Sequence, residues 1–412
     1  MSKIGIKHWD VLIIGGGAAG LVAAIEAARL GNQVCILEQN DKLGKKILAT
    51  GNGKCNYTNS NMSMGCYYGD KNLIQLVLNH FTTEDCLSYF HELGIYPKER
   101  QGYYYPNSEQ ASSVVYALQE ELYRLGVTVS LSTKVSDVVP WEDGYEILSN
   151  KGSFYCRTVI VACGLKASPN LGSDGSMLPV LRKLGHFYET MVPALCGVYC
   201  KGFDFKSVSG VRIQAKVTAI VDGREVGQDV GELQLTDYGV SGIPVFQISR
   251  LIGMAIFKKN ETKIAIDFVP DLTKEMLYQE LRNRSKRGSK AGFLCNGLLN
   301  QKLADVVLTM AQISPDVSGD RLQDAQIWTL ISILKETVVT PTKSRSYEYA
   351  QVCAGGYSSK ELNDNSFESK LHPGLYFAGE VLDVDGICGG YNLHFAWGSG
   401  MLAAREANER LH

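Results

Sequence analysis

The sequence contains no run of about 20 uncharged apolar residues, the length that a membrane-spanning helix requires. An apolar stretch does begin at Val11, but Asp10 precedes it and Glu26 and Arg29 lie inside it. Charges at these places, together with a run of glycines, are not typical of a signal peptide. We therefore expect a cytoplasmic protein that does not bind a membrane.

The chain also lacks a Cys-x-x-Cys motif, although it has 11 cysteines. An odd number of scattered cysteines does not suit a disulfide framework and is typical of buried thiols in a reducing compartment. Cys196 and Cys200 are the nearest pair, and their spacing matches no redox motif. The sequence therefore does not support a dithiol mechanism.

An excess of one charge is absent too, because 41 Lys and Arg residues stand against 43 Asp and Glu residues. The net charge of −2 argues against a nucleic-acid partner. Residues 282–290 form a basic run, for which a solvated face is the expectation and docking of an NADPH phosphate or an acidic substrate the alternative. We find no paired carboxylates of glycosidase type, no Gly-x-Ser-x-Gly elbow and no clustered metal ligands, so no metal is predicted.

What the sequence does contain is a glycine motif between a strand and a helix. The apolar run Val11–Ile14 is typical of a buried parallel strand, and Gly15-x-Gly17-x-x-Gly20 follows it directly. These glycines allow a tight turn, close approach of a pyrophosphate and close packing of the helix on the sheet. Glu38 follows roughly 20 residues on, where a carboxylate accepts ribose hydroxyls. An acid here favours FAD or NAD over NADP.

Two further segments favour FAD. Residues 45–59 combine glycines, cations and amide side chains in a short loop that can surround phosphate and a polar heterocycle. Near the C-terminus, Glu380 ends a buried strand and can accept ribityl hydroxyls, while Gly389 and Gly390 allow backbone contact with a flat ring. A helix that begins near Asn392 would direct its N-terminus at that ring and favour a reduced flavin anion.

These segments resemble a family of bacterial flavoproteins described as aminoacetone oxidase-like or NAD(P)/FAD-dependent oxidoreductases. Residues 51–59 resemble its Gly-x-Gly-Arg-Cys-Asn-x-Thr-Asn motif, and residues 379–383, 389–392 and 396–397 resemble its C-terminal signature. Further motifs of this family resemble residues 352–356 and, in the insertion, residues 231–232 together with 239–242. The resemblance therefore spans the chain. Lys54 stands where Arg is usual and Cys353 where Thr is usual, and Ala162-Cys163-Gly164 replaces Ala-Thr-Gly.

The resemblance implies an α/β fold with a glutathione-reductase-type, Rossmann-like FAD-binding domain, an inserted β-barrel-like domain and a helical subdomain. We expect the FAD domain at 1–192 and 340–412, the β-rich insertion at 193–270 and the helical subdomain at 271–339. Tyr391 and His394 are the candidate proton donors beside the flavin. The expected cofactor-binding residues are Gly15, Gly17, Ala18, Ala19, Gly20, Glu38, Gln39, Lys46, Gly51, Gly53, Lys54, Cys55, Asn56, Val135, Ala162, Cys163, Gly164, Gly379, Glu380, Gly390, Tyr391 and Asn392.

The function expected from this resemblance is an FAD-dependent reductase. NADH or NADPH would act as a transient electron donor, and hydride would pass to an activated C=C bond of an apolar small molecule such as a steroid or bile-acid enone. An amine or aminoketone oxidase that uses oxygen, and a non-catalytic redox-sensing flavoprotein, are the alternatives. RNA modification is a third alternative, against which the near-neutral charge weighs. We expect a monomer or a small homo-oligomer.

Overall fold

The computed structural model describes residues 8–412 and divides them into two units. The first unit comprises the chain up to Met191 together with Val352–His412, and the second comprises Val192–Gln351. No helix within residues 8–412 is both long enough and apolar enough to span a bilayer.

The elements of each part of the chain follow in order. Up to Met191 they are β1 His8–Ile14, α1 Ala18–Arg29, β2 Val34–Leu37, α2 Lys45–Ala49, β3 Thr58–Asn59, β4 Tyr67–Gly69, α3 Lys71–His80, α4 Thr83–Glu92, β5 Pro97–Arg100, β6 Tyr103–Pro106, α5 Ala111–Arg124, β7 Thr128–Ser130, β8 Val135–Trp141, β9 Gly144–Ser149, β10 Gly152–Val161 and α6 Leu178–Lys183. The second unit contains β11 Val192–Ala194, β12 Val198–Lys201, β13 Arg212–Val221, β14 Arg224–Thr236, β15 Gly239–Ser241, α7 Ile243–Phe257, β16 Thr262–Asp267, α8 Lys274–Ser285, α9 Gln301–Met310, α10 Asp324–Lys335 and β17 Thr337–Ser344. The C-terminal part contains β18 Val352–Ala354, β19 Leu375–Phe377, β20 Val384–Gly386 and α11 Tyr391–Leu411.

A seven-stranded sheet organises the first unit, in the order β7-β2-β1-β10-β9-β8 with β19 also paired to β10. The strands β7, β2, β1, β10 and β19 are parallel, whereas β10, β9 and β8 pair antiparallel. The strand β10 is continuous: its first half pairs with β9 and its second half with β19. Residues from the two ends of the chain are therefore joined in one sheet.

Small residues let the helices pack closely on this sheet and on each other. A Cβ atom at Gly20 would lie 1.9 Å from the carbonyl oxygen of Gly15, so only glycine allows α1 to start so near β1. A Cβ atom at Gly400 in α11 would lie 2.3 Å from the carbonyl oxygen of Ala19 in α1. The two helices thus meet backbone to backbone, close to the glycine turn.

The second unit is a closed barrel with three helices after its fifth strand. Its strand order is β12-β15-β14-β13-β16-β17, and β12 closes the circle by pairing antiparallel with β17. Buried residues of the barrel and of α8, α9 and α10 form one hydrophobic cluster. The sequence-based division into a β-rich insertion and a helical subdomain therefore separates two parts that share a core.

Two details differ from the sequence-based expectations. The β-rich insertion expected at 193–270 contains a 15-residue helix, α7, which begins after Gly242 with Pro244 in its first turn and buries Val245 and Ile248. The expected boundary at residue 340 falls inside β17, so we propose Gln351 as the end of the insertion.

Candidate functional site

The glycine motif forms an open cradle at the N-terminus of α1. Gly17 is the N-cap residue of α1, and no capping side chain accepts a hydrogen bond from the backbone N–H groups of the first turn. A Cβ atom at Gly17 would meet no atom within 4 Å, whereas one at Gly15 would lie 2.6 Å from the carbonyl oxygen of Ala162. The space in front of Gly17 and the helix dipole together suit a phosphate group.

Glu38 lies beside this cradle at the end of β2 and is buried, with 6% of its surface exposed. One carboxylate oxygen accepts a hydrogen bond from the backbone N–H of Gly16 at 2.7 Å, and the other accepts from the backbone and side chain of Asn40 at 2.7 and 2.8 Å. The oxygen that accepts from Gly16 keeps a second lone pair for a ribose hydroxyl, whereas both lone pairs of the other oxygen are used by Asn40. Gln39, also predicted to bind the cofactor, donates its amide to the carbonyl of Gly172.

The segment that follows β19 contacts the first turn of α1 as well. A Cβ atom at Gly379 would lie 2.7 Å from the Cβ of Ala19, so this strand end touches the first turn of α1. Glu380 follows, and its carboxylate forms an ion pair with Lys46 and accepts the backbone N–H of Cys353 at 2.9 Å. The predicted residues Ala19, Lys46, Gly379 and Glu380 therefore lie close together in the first unit.

The residues after β10 complete this side of the site. A Cβ atom at Gly164 would lie 2.6 Å from the hydroxyl of Ser173 and 3.7 Å from a carboxylate oxygen of Glu380. Burial raises the pKa of the Cys163 thiol to about 12, so this cysteine is not a nucleophile at neutral pH. Val135 is buried at the start of β8, and its role in binding the cofactor stays a prediction.

The 45–59 loop has the backbone conformations that its glycines suggest. Gly51 and Gly53 have φ values of 56° and 83°, and the buried Cys55 has a φ of 58°. With the amide oriented by its hydrogen-bond partners, Asn56 donates to the carbonyls of Tyr104 and Thr58 and accepts from the backbone N–H of Gly390. The loop is thereby fastened to the first turn of α11.

Lys54 is engaged with another part of the first unit. Its ammonium group pairs with Glu109 at 3.1 Å, and Lys98 and Arg100 pair with the same carboxylate. Hydrogen bonds from Lys98 and Lys54 lower the pKa of Glu109 to about 2. A contact between Lys54 and the cofactor therefore stays a prediction that requires this cluster to rearrange.

The two candidate proton donors differ in environment. His394 is fully buried, and its ring nitrogens lie 2.8 Å from the hydroxyl of Thr58 and 3.0 Å from the carbonyl of Phe81. Burial lowers its pKa to about 4. Since both nitrogens have protein partners and no solvent access, this geometry argues against a proton donor and points to a structural residue.

Tyr391 lies beside the glycines that the sequence assigns to a flat ring. A Cβ atom at Gly389 would lie 2.7 Å from the Tyr391 ring, and Gly390 is the N-cap of α11 with a φ of 89°. Burial raises the pKa of the Tyr391 phenol further above its ordinary value. Asn392 bonds to both backbone groups of Gly386 at 2.8 Å and so fixes this turn.

Sequence reasoning missed two polar residues that hold the site together. Asn40 donates to Glu38, and Ser399 accepts the backbone N–H of Gly379 at 2.9 Å from inside α11. A serine within an otherwise apolar helix face is the one signal that indicates such a bond. The basic run 282–290 is partly structural, since Arg284 donates to two backbone carbonyls and pairs with Glu280.

Comparison with known proteins gives this site a context. Residues 9–406 match the family model described as HI0933-like protein Rossmann domain. The chain is 42% identical over 416 aligned residues, covering all of both chains, to a 3-dehydro-bile acid delta(4,6)-reductase of Clostridium scindens. It is 29% identical to a ribosomal RNA dihydrouridine synthase of Escherichia coli over 97% of this chain and 98% of the relative.

Solved structures share the fold at low identity. A quinol-fumarate reductase matches with a TM-score of 0.52 and 13% identity, over 99% of this chain and 72% of the other. A 3-ketosteroid delta1-dehydrogenase of Sterolibacterium denitrificans matches with a TM-score of 0.51 and 12% identity, over 98% and 100% of the two chains. Together with the family match, they confirm the predicted α/β fold class with its Rossmann-like domain and inserted barrel.

Proposed function

The chain belongs to the HI0933-like family of FAD-dependent Rossmann proteins, and on this premise we propose that it reduces a conjugated C=C bond of a 3-oxo steroid or bile acid. The observation that carries the proposal is 42% identity, over the whole of both chains, to a relative named as a 3-dehydro-bile acid reductase. NADH or NADPH would be the electron donor. The family assignment made from the sequence motifs is confirmed by the same matches.

The residues present fit FAD. The uncapped first turn of α1 and the free space at Gly17 would receive the pyrophosphate, and Glu38 would accept an adenosine ribose hydroxyl. Glu380, held by Lys46, would accept ribityl hydroxyls, and the first turn of α11 would face the ring. When bound, FAD supplies two-electron hydride chemistry that no side chain can provide.

The protein must also supply a proton. Reduction of an enone adds a hydride to the carbon far from the carbonyl and a proton to the neighbouring carbon or to the oxygen. A tyrosine phenol holds its proton at neutral pH, and Tyr391 lies beside the Gly389–Gly390 turn that is proposed to face the ring. We therefore propose Tyr391 as the proton source, and we assign His394 to the packing of α11.

Anaerobic stopped-flow of the FAD-loaded protein tests this function. The flavin absorbance is followed after mixing with NADH or NADPH, and then after addition of a 3-oxo-4,6-diene bile acid. We expect one nicotinamide to bleach the flavin and the dienone to restore its colour while gaining two hydrogens by mass spectrometry. An oxidised flavin in the presence of both nicotinamides, or hydrogen peroxide formed from an amine alone, would contradict the proposal and favour the alternatives.

A second candidate is reduction of uridine in ribosomal RNA. The specific support is a pair of relatives named as ribosomal RNA dihydrouridine synthases, at 29% and 28% identity over 97% of this chain. Their product also arises by reduction of a C=C bond next to a carbonyl, so the same flavin chemistry would serve. Dihydrouridine that disappears from ribosomal RNA when the gene is deleted, and returns with the wild-type gene, would favour this candidate.

A further inference from the structure

A cluster of three cations around one carboxylate lies in the first unit, and the proposed function uses none of its contacts. The Glu109 carboxylate accepts from the Lys54 ammonium at 3.1 Å and from the Lys98 ammonium at 2.6 Å, and Arg100 pairs with the same carboxylate. We call these four residues the Glu109 cluster. The side chains of Lys98 and Arg100 are 37% and 50% exposed, so a ligand from solvent can reach them.

The charges of this cluster are not balanced among its own members. Three cations meet one carboxylate, which leaves two positive charges, whereas Lys134 pairs with Asp174 and Lys183 pairs with Asp137. An ammonium group has three N–H donors and a guanidinium has five, so the cations of the cluster retain donors for an acceptor other than Glu109. The cluster therefore suits an anion that carries two negative charges.

Strand geometry places the two cations of β5 on one face of the sheet. Lys98 and Arg100 are two positions apart, so their side chains point to the same face. The hairpin from β5 to β6 turns at residues 101–102, where both φ values are positive, as in the two-residue turns that match the twist of paired strands. Tyr105 and Tyr103 lie opposite Lys98 and Arg100 in β6. This face therefore carries two cations beside two aromatic rings.

The same small sheet connects the cluster to the turn that is proposed to face the flavin. Tyr103 pairs with Asn59 of β3, and the Asn59 amide donates to the carbonyl of Gly389 at 2.9 Å. A Cβ atom at Gly389 would lie 3.2 Å from the Tyr103 ring. Two strand spacings separate Arg100 from Asn59, which is roughly 10 Å. The turn and the cluster therefore lie within the length of an extended dinucleotide.

We propose that the Glu109 cluster binds a phosphate group of the nicotinamide dinucleotide, an inference that rests on the proposed function, in which NADH or NADPH is the electron donor. A 2′-phosphate or a diphosphate carries about two negative charges at neutral pH, which matches the excess of the cluster. The Arg100 guanidinium can bind phosphate oxygens with parallel N–H donors, and Lys98 adds a point charge. The Tyr103 ring, between the cluster and Gly389, supplies a flat face for an aromatic part of the same ligand.

Isothermal titration with two unreactive ligands tests this proposal without turnover. The probes are ADP-ribose and 2′-phospho-ADP-ribose, which lack nicotinamide and differ only in the 2′-phosphate, each titrated into the FAD-loaded protein. The variants are Lys98→Gln, Arg100→Gln and the double variant, and Lys54 is left unchanged because it is a candidate FAD-binding residue. Lys183→Gln and Arg124→Gln are the matched controls, because each removes an exposed cation of the same unit. Flavin content and thermal unfolding are measured for every variant.

We expect each single variant to lose about threefold to tenfold in affinity, because the side chains are partly exposed to water and salt, and the double variant to lose more than either. The controls should bind like the wild type. A loss confined to 2′-phospho-ADP-ribose assigns the cluster to the 2′-phosphate of NADPH, and an equal loss for both ligands assigns it to the diphosphate that NADH and NADPH share. The proposal is overturned if the wild type binds neither ligand, or if the double variant binds both as tightly as the wild type.

Failure of the proposed function is a separate result. If a nicotinamide dinucleotide bleaches the flavin and the double variant requires more of it, but no dienone is reduced, the reductase function fails while the binding site stands. If the double variant reduces the dienone with an unchanged KM for the dinucleotide, the binding proposal fails while the function stands. A single-stranded RNA fragment or a bile-acid carboxylate that loses affinity in the double variant, while both nucleotides keep theirs, assigns the cluster to that ligand and also overturns the proposal.

Discussion

Substitution of Gly17 by alanine separates cofactor binding from folding. Gly17 has an extended backbone with a φ of −86°, and its new Cβ would meet no protein atom within 4 Å. Alanine restricts the unfolded chain but is a poorer N-cap than glycine, so the free energy of unfolding of the apoprotein should change by no more than about 1 kcal/mol. The methyl group would instead occupy the space in front of the α1 N-terminus, where the pyrophosphate is proposed to bind.

The magnitude of the FAD effect follows from the lost hydrogen bonds. Displacing the phosphate from one backbone N–H removes a charge-assisted bond worth about 1.5–3 kcal/mol, which weakens FAD about tenfold to a hundredfold. Fluorescence titration of the apoprotein with FAD and urea unfolding measure the two quantities separately. Gly65→Ala is the matched control, because its nearest atom would be 3.9 Å away. Unchanged FAD affinity in Gly17→Ala, at unchanged stability, would refute the cradle.

Three further predictions concern the same unit. Glu38→Gln should weaken the binding of FAD and lower the free energy of unfolding of the apoprotein by about 2–4 kcal/mol in urea unfolding. The reason is that an amide has only one acceptor oxygen, so it cannot accept from both Gly16 and Asn40. A stable variant with normal FAD affinity would contradict this. Lys46→Met and Glu380→Gln should each weaken the binding of FAD. The double variant should lose less binding free energy than the sum of the two single losses, because Lys46 and Glu380 form an ion pair. Strictly additive losses would argue against coupling between these two side chains. The pKa of His394 is lowered to about 4, so its neutral imidazole contributes fully to the free energy of unfolding above the unfolded pKa of about 6.5, and this contribution is lost as the pH falls. Between pH 7.5 and 5.0 the free energy of unfolding of the wild type should therefore fall by about 2 kcal/mol more than that of His394→Gln. Equal losses in the two proteins would contradict burial of a neutral imidazole.

The parts of the fold that follow from local patterns were predictable. The strand β1 and the helix α1 lie where the apolar run Val11–Ile14 and the glycine motif indicate them, and Glu38 directly follows β2. Parallel strands buried on both faces and the glycine turn that follows them carry their constraints within a few residues of sequence. This is why the phosphate cradle and the acid beside it are readable without a structure.

The helix α7 was missed because its local signals are ambiguous. It buries seven residues, and an apolar run of this kind reads equally well as buried strand or buried helix. The end of the insertion that we propose differs from the expected one for another reason: β17 belongs to the barrel through pairing with β12, which is more than a hundred residues earlier. Neither the helical conformation of α7 nor the pairing of β17 with β12 can be predicted from the residues of these elements alone.

The ion-pair and hydrogen-bond partners of the candidate site residues could not be predicted from the sequence for the same reason. Lys54 and Lys46 lie on one short segment, yet Lys46 pairs with Glu380 and Lys54 with Glu109. His394 follows the turn that is proposed to face the flavin, but helical geometry directs its ring toward Thr58 and Phe81. Residue type and position indicate the candidate residues of a site, and only tertiary packing decides which of their side chains already have partners.

The contact between the two ends of the chain explains why the site requires both. Gly379 touches Ala19, and its N–H is fixed by Ser399 of α11, while Gly400 of the same helix packs on the Ala19 carbonyl. A single residue at the first turn of α1 is thus held from two sides by the C-terminal segment. Any side chain added at Gly379 or Gly400 would push α1 from its place and shift the unpaired N–H groups of the cradle. The position of the proposed phosphate site therefore depends on residues about 360 positions later in the chain, which is the physical reason to propose that both ends form one cofactor site.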